Sequence, residues 1–388
     1  MRDALSRRVF LRAGATSALA AWAACRLGSN GCQRSAAWGP CPDGLLFGAN
    51  DAADGTHHVS AFRLQSGLIF RTPLPERGHA AALHPQRPHL AVVARRPGRG
   101  LFILDQRTGK KLHSINCGAG RHHTGHAAYD AQGQRLFVPQ NVFDTRAIPD
   151  VTPRQSEIAV YDAQNGYRFL GEIPAGGVGT HEVRLMAEGT TLAVANGGLY
   201  THPSYGRAVL NRNTMNSTLT FVDIASGATL SEHRVSDQLA SIRHLACGDA
   251  GAVAVAIQYQ GRADTVVPLV GLYRPGLGIN TFVAPGAVYE RLQRYIASVA
   301  VNTAGGCVAA TSPKGGCAAF WQLSGAYLGA VQVADVSGLA SLGNAFVLTA
   351  GDGSVHVLDA QSLVRHKSHT VPDTRWDNHA TIMPLALG

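Results

Sequence analysis

Residues 126–133 of this 388-residue chain have the sequence HAAYDAQG, in which a histidine begins a short apolar segment that ends at a glycine turn. Glycine also lies seven residues after the first residue in two other segments, HLACGDAG (244–251) and SVAVNTAG (298–305). Seven copies of this pattern occur, beginning at His79, His126, His181, His244, Ser298, Ser337 and His379. Successive copies are 39 to 63 residues apart. These intervals bracket the roughly 40–50 residues of a four-stranded propeller blade.

A second pattern alternates with the first and consists of an apolar residue and Asp, followed by a turn that ends at Gly. The clearest cases are Leu104-Asp105 to Gly109, Tyr161-Asp162 to Gly166 and Val222-Asp223 to Gly227. Aspartate can cap such a turn through its side chain, and glycine accepts the left-handed conformation that closes it. The pattern predicts the hairpin between the two outer strands of a small antiparallel sheet.

The ends of the chain predict how the ring closes. The last copy leaves room for only one strand, whereas three strands precede the first copy, at Leu45–Phe47, His58–Phe62 and Ile69–Thr72. Pairing of the C-terminal strand with the N-terminal strands would complete a blade and remove an open sheet edge. We therefore predict an all-β, seven-bladed β-propeller over residues 44–388. The rival architecture, two β-sandwich domains, needs a polar linker, and the longest insertion, 197–217, is instead predicted to be one long loop on a propeller face.

The first 24 residues have the features of an export signal. Arg7 and Arg8 precede a mild apolar run that is typical of bacterial twin-arginine signals and is too short to span a bilayer. We predict a signal peptide over residues 1–24, a linker over residues 25–43 and a periplasmic location. Cys25 leaves two alternatives open: simple cleavage by a peptidase, or lipidation of Cys25, which would be the protein's only attachment to a membrane.

The charge distribution excludes one class of partner. Removal of residues 1–24, whose net charge is +3, would lower the +9 of the chain to +6. The arginines are scattered along the chain and form no dense basic stripe. We therefore expect no nucleic-acid partner.

The seven cysteines include no C-x-x-C pair, which argues against a zinc knuckle or a thioredoxin-like site. Cys307 and Cys317 lie symmetrically about Ser312-Pro313, as opposed residues of a hairpin would. An exported protein can form disulfides, so two alternatives stand for this pair: a cross-strand disulfide, or two buried reduced thiols.

Several motifs of the chain resemble those of one bacterial family. The motifs are Ala94-Arg95-Arg96-Pro97-Gly98, Gly179-Thr180-His181-Glu182, the loop from Asn196 to Met215, Ser241-Ile242-Arg243-His244-Leu245-Ala246, Ser312-Pro313-Lys314-Gly315-Gly316 with Trp321, and Trp376-Asp377-Asn378-His379. They are similar to those of a domain of unknown function whose members are exported by twin-arginine signals and are often encoded beside imelysin-type iron-uptake proteins. The resemblance covers almost all of residues 44–388. It implies a seven-bladed propeller, export and an imelysin-type partner, but no established reaction.

The histidines of the first pattern are the candidate metal ligands. They are His79, His126, His181, His244 and His379. Because the first strand of each blade runs along the central channel, they would form a polar arc on five consecutive blades. Imidazole suits iron, copper or zinc, and metal–nitrogen bonds near 2.0 Å let one ion bind only neighbouring members, such as His126, His181 and His244. His122 and His123 could add ligands from a loop. The alternative is a structural role, with each histidine hydrogen-bonded to the backbone of a neighbouring blade.

Other residues near the arc could bind or activate a ligand. Glu182 could act as a base, or it could orient the imidazole beside it. Arg95, Arg96, Arg207 and Arg243 could bind an anionic ligand. The sequence contains no H-E-x-x-H, G-x-S-x-G or Walker motif. Two functions therefore stand: a binding or scaffold propeller linked to iron uptake, or a metal-dependent enzyme of small molecules, either a lactonase-like hydrolase or an oxidoreductase.

Overall fold

The computed structural model describes residues 42–385. The predicted signal peptide, with Arg7 and Arg8, lies outside the described residues, as does nearly all of the predicted linker, with Cys25. Between residues 42 and 385, no helix has the length and hydropathy needed to cross a membrane.

The described residues form thirty strands in seven antiparallel sheets, and each sheet is one blade of a β-propeller. The N-terminal strands are β1 (Gly44–Asp51), β2 (His57–Arg63) and β3 (Gly67–Leu74). Blade 1 comprises β4 (Gly78–Leu83), β5 (His89–Ala94), β6 (Gly100–Asp105) and β7 (Lys111–Asn116). Blade 2 comprises β8 (Arg121–His123), β9 (Ala128–Tyr129), β10 (Arg135–Val142), β11 (Glu157–Asp162) and β12 (Arg168–Pro174). Blade 3 comprises β13 (Thr180–Leu185), β14 (Thr191–Asn196), β15 (Thr218–Asp223) and β16 (Thr229–His233).

The remaining blades follow the same plan. Blade 4 comprises β17 (Ala240–Cys247), β18 (Val253–Tyr259), β19 (Val270–Arg274) and β20 (Gly278–Thr281). Blade 5 comprises β21 (Ser298–Asn302), β22 (Cys307–Ser312), β23 (Cys317–Gln322) and β24 (Tyr327–Gln332). Blade 6 comprises β25 (Val336–Leu342), β26 (Ala345–Ala350), β27 (Ser354–Asp359) and β28 (Arg365–Thr370). Blade 7 comprises β29 (Arg375–Trp376) and β30 (Thr381–Pro384) together with β1, β2 and β3. Within residues 42–385 the helical segments are short, namely α1 (Gly286–Arg291) and 3-10 turns at Pro203–Tyr205, Arg212–Thr214 and Asp249–Gly251.

The predicted ring closure is confirmed. Strand β1 pairs with β29, where Asn50 lies opposite Trp376, and with β30, where Leu46 lies opposite Ile382. The Trp376 ring is buried, and its Nε1–H donates to the backbone oxygen of Gly353 at 3.2 Å. The C-terminal strands thus form the inner edge of a sheet whose other strands come from the N-terminal part of the chain.

The Asp-to-Gly turns form the predicted outer hairpins. Between β6 and β7, Oδ1 of Asp105 accepts from the backbone N–H of Arg107 at 2.9 Å, and Gly109 has a φ of 71°. The hairpin between β27 and β28 keeps the aspartate, Asp359, but its left-handed position holds Leu363, with a φ of 59°. The turn is therefore specified mainly by the aspartate, with glycine removing the steric cost where it is present.

The core lies between neighbouring blades. Phe320 of β23 and Phe346 of β26 belong to one cluster and pack across the interface of blades 5 and 6 with ring centroids 5.6 Å apart. Central strands are apolar on both faces for this reason, as in β5, where every residue from Leu90 to Ala94 is fully buried. Close packing on both faces holds the innermost strands, and hence the channel side chains, in fixed positions.

The pairing of β22 with β23 excludes the first alternative for Cys307 and Cys317, a cross-strand disulfide. The turn occupies residues 313–316 instead of being centred on Ser312, so Cys317 lies opposite Ser312 and Cys307 lies opposite Gln322. The two cysteines are therefore out of register for a cross-strand disulfide, and both are buried free thiols. The left-handed Gly316, with a φ of 59°, lies at the end of the turn and helps to set this register.

Candidate metal centre

Four of the five channel histidines lie where the ladders of the innermost strands are interrupted, and the fifth, His244, pairs with Ala256 directly after a bulge in β17. In β13 the ladder skips His181, which becomes the extra residue of a β-bulge, and in β4 the ladder is interrupted at His79. His126 and His379 lie in the gaps that separate β8 from β9 and β29 from β30. Because a bulge or a gap turns a side chain out of the regular alternation, these interruptions direct the imidazoles away from the blade interfaces.

The five imidazoles form one compact cluster, which we call the histidine cluster. The ring centroid of His379 lies 4.5 Å from those of His79 and His126 and 4.7 Å from that of His244. The centroid of His181 lies 4.7 Å from that of His244. Four of the residues are buried and His181 is partly buried. The arc expected from the sequence is thus drawn together into direct ring contacts.

Two overlapping triads within the cluster have the spacing of a metal site. In each triad one ligand nitrogen per residue lies within 4.8 Å of the others; the triads are His79, His126 and His379, and His126, His181 and His244. Two nitrogens bound to one ion at about 2.0–2.1 Å can be no more than about 4.2 Å apart, so shifts of under about 1 Å would close either triad around an ion. His126 belongs to both triads.

Two buried carboxylates hold the imidazoles from behind. Nδ1 of His79 lies 2.6 Å from Oδ1 of Asp377. Oε2 of Glu182 lies 3.1 Å from Nδ1 of His244 and 3.7 Å from Nδ1 of His126. A carboxylate on one ring nitrogen fixes the tautomer and the ring orientation and leaves the other nitrogen available to a metal. Of the two roles that the sequence leaves open for Glu182, its contacts are those of an orienting carboxylate.

Four ring nitrogens of the cluster have no partner among the described residues. They are Nε2 of His126, His244 and His379 and Nδ1 of His181, and all four are buried. A buried polar atom without a hydrogen bond costs about 1–3 kcal/mol, and native proteins contain few of them. Histidines that only linked neighbouring blades would use these nitrogens in hydrogen bonds to backbone, which these four do not form.

Burial keeps the cluster in the form that binds metals. It holds the pKa of His126, His181 and His379 well below the usual value, and repulsion between neighbouring imidazoles adds to the effect. Burial also lowers the pKa of His244, although Glu182 opposes the shift. His126, His181, His244 and His379 are therefore neutral at ordinary pH, and a neutral ring nitrogen is the ligand that transition metals require.

The two carboxylates stay ionised because arginines and the imidazoles face them. Burial opposes ionisation of Glu182, yet Arg184 and the adjacent histidines hold its pKa well below the usual range. Asp377 is buried too, and His79, Arg95 and Arg77 hold its pKa low in the same way. Nη1 of Arg95 lies 2.8 Å from Oδ2 of Asp377, so this arginine, a candidate for ligand binding, is part of the support of the histidine cluster.

A cavity of about 140 Å³ adjoins the cluster. His79, His181 and His244 line it, together with Arg207 and Arg243. Burial lowers the pKa of Arg243 to about 9. No carboxylate is among the described residues that line this cavity. All four arginines expected to bind a ligand, which include Arg95 and Arg96, thus line the same space as the candidate metal ligands.

The structure also shows what the sequence patterns did not reveal. Asp377 stands only two residues before His379, but its imidazole partner is His79, 298 residues away in the chain. An acidic residue beside a channel histidine was the available signal, as it was for Glu182. His122 and His123 lie on β8 and belong to neither triad.

The comparisons with known proteins identify a family for the chain and leave its chemistry open. A family model described as "Protein of unknown function (DUF1513)" matches residues 72–383, which include all five residues of the histidine cluster. No curated protein matches the chain. Because the match extends over most of its length, this chain belongs to the DUF1513 family of proteins of unknown function.

Proposed function

We propose that the protein is an exported, non-catalytic binding propeller that holds one transition-metal ion, iron, copper or zinc, in its central channel. The observation that carries the proposal is the pair of overlapping triads whose imidazoles are oriented from behind by Asp377 and Glu182. Ring nitrogens that have no hydrogen-bond partner among the described residues favour these metals over calcium or magnesium, which take oxygen ligands.

Export and a role in iron uptake complete the proposal. The twin-arginine pattern of residues 1–24 supports delivery to the periplasm. That route carries folded proteins, so the ion could be bound before export. The family resemblance supports an imelysin-type iron-uptake protein as the partner, which makes iron the first metal to test.

An enzymatic function has less support from the site. A lactonase-like hydrolase would need a base beside the metal, yet Glu182 and Asp377 are both held in ion pairs with arginine. The described residues that line the adjoining cavity include no carboxylate that could replace them. A turnover screen of the metal-loaded protein with lactones, esters and redox dyes tests this alternative directly.

The metal proposal is tested with protein purified after native export. Metal content is measured by mass spectrometry, and metal-free protein is titrated with Fe²⁺, Cu²⁺ and Zn²⁺ by calorimetry. We expect one ion per chain with a Kd below about 0.1 mM, equivalent to about −5.5 kcal/mol. His126→Ala removes a ligand from both triads and should weaken binding at least 100-fold, and the double variant with His181→Ala should abolish it.

His123→Ala is the matched control, since His123 is as buried as His126 but lies outside both triads. It should bind metal as the parent protein does. Circular dichroism establishes that each variant keeps its fold. The proposal is wrong if the parent shows no affinity tighter than 0.1 mM, or if the double variant binds unchanged.

A further inference from the structure

A second cavity, of about 280 Å³, shares walls with the cavity beside the histidine cluster. The side chains common to both are Arg96, Arg207, Arg243, Gln258 and Tyr295. We call the joined space the basic vestibule, because the larger cavity also has Arg294 and Lys314 in its wall and no acidic residue among the described residues that line it. The larger cavity alone, at about 280 Å³, is close in volume to the smallest small-molecule sites, which begin at roughly 300 Å³.

Five of the six positive charges of the vestibule are not neutralised by a carboxylate of the protein. Within residues 42–385, its lysine and four of its five arginines, namely Arg96, Arg207, Arg243 and Arg294, form no ion pair with a carboxylate. Arg96 donates to the hydroxyl of Thr201 at 3.0 Å, and Lys314 lies over the ring of Tyr295. Arg95, in contrast, is neutralised by Asp377 and serves the histidine cluster.

Arg243 is the residue of the vestibule that points most directly to a bound ligand. It is only 9% exposed, and its Nε is buried without a hydrogen-bond partner among the described residues. A buried guanidinium without an acceptor is costly, so an acceptor from outside the chain would relieve it.

The backbone around Arg243 is arranged to hold it there. Arg243 is the extra residue of a β-bulge in β17, between Ile242 and His244, and the bulge turns its side chain out of the ladder. Gly197 makes room for it, because a Cβ at that position would lie 2.7 Å from Nη1 of Arg243. The long loop between β14 and β15 supplies Arg207 and Thr201 to the wall.

We infer that the basic vestibule binds a small anion that carries at least two carboxylate or phosphate groups. The planar fork of a guanidinium matches both groups through paired N–H···O bonds, and several cations around one cavity favour a multivalent ligand over chloride. Since His79, His181 and His244 line the inner end, one anionic group of the ligand can reach the metal that the proposed function places there. Only that last point rests on the proposed function.

The test uses metal-free protein, so that it is independent of the histidine cluster. Citrate, pyrophosphate and chloride are titrated into chelator-treated protein by calorimetry at low salt. We expect citrate or pyrophosphate, or both, to bind with a Kd below about 1 mM and chloride not to bind. Comparison of the first two identifies the anionic group.

Variants then establish which side chains hold the anion. Arg207→Gln and Lys314→Gln alter exposed or partly exposed residues and should each weaken binding at least fivefold, and Arg243→Gln should weaken it more than tenfold. Arg168→Gln is the control, because Arg168 is an exposed arginine on β12 that lines neither cavity. If Arg243→Gln does not fold, the two milder variants decide the question.

Three results would overturn the inference: no binding of either multivalent anion to the metal-free protein, equal binding by the parent and all vestibule variants, or binding that appears only after metal is added. The last result would leave the metal proposal intact, since it would mean that the ion and not the arginines holds the anion. If the protein bound the anion but had no affinity for metals, the metal proposal would fall and the anion inference would stand.

Discussion

Replacement of Trp376 by alanine should lower the melting temperature of the protein by about 4–7 °C, because this residue anchors the strands that close the ring. Its ring is 4% exposed and packs in a cluster with Leu46, Leu342 and Val355, which come from blades 7 and 6. It also lies against β1 so closely that a Cβ on Gly48 would be 2.9 Å from the indole.

The magnitude follows from the size of the cavity that the variant would leave. Replacement of a buried core Trp by alanine lowers the free energy of unfolding by about 3–5 kcal/mol. The backbone oxygen of Gly353 also loses the donor that Trp376 supplies. For a domain of roughly 340 residues, an unfolding entropy of about 2.1 cal/mol/K per residue converts 3–5 kcal/mol into about 4–7 °C.

Calorimetric melting of the parent and the variant measures this shift. Leu230→Ala is the control, because Leu230 is 58% exposed on the outer strand β16. Its replacement should lower the free energy of unfolding by less than about 0.5 kcal/mol. Deletion of residues 375–388 removes both closing strands and should prevent a stable monomer. A variant or a truncated protein that melts within 1–2 °C of the parent would refute the closure argument.

Three further predictions concern the site, the acid range and export. Glu182→Gln should weaken metal binding about 10- to 100-fold in the same titrations, because the imidazoles lose their orienting carboxylate; unchanged affinity would show that Glu182 does not position them. Burial lowers the pKa of His122 to about 3 and that of His123 to about 4, below the ordinary value of 6.5. The unfolded chain therefore takes up more protons, and the free energy of unfolding should fall as the pH drops below 6.5 towards 4, by up to about 1.4 kcal/mol per pH unit for each residue. Urea unfolding at several pH values measures this, and a flat profile between pH 7 and pH 5 would contradict it. Replacement of Arg7 and Arg8 by lysine should leave the protein in the cytoplasm, and its appearance in a periplasmic fraction would show that the segment is not a twin-arginine signal.

Local chemistry made the architecture predictable from the sequence. The Asp105-to-Gly109 turn and its relatives encode a hairpin within a few residues, and the seven copies of the histidine or serine pattern count the blades. The number of strands left over at each end then leaves one way to close the ring. None of these steps needs contacts between distant parts of the chain, because turn conformation and strand alternation are local properties.

The chemistry of the site depended on contacts that only the closed ring creates. The sequence identified all five histidines as channel residues, since their place in the repeat determines their place on the innermost strand. It did not show that Asp377 would orient His79, because these residues meet only when the last blade packs against the first. Nor did it show the bulge at Arg243, since a single extra residue in a ladder depends on the partner strand. Sequence therefore determined which residues reach the channel, and tertiary structure decided how their nitrogens and charges are arranged, because orientation and burial belong to the packed ring and not to any one strand.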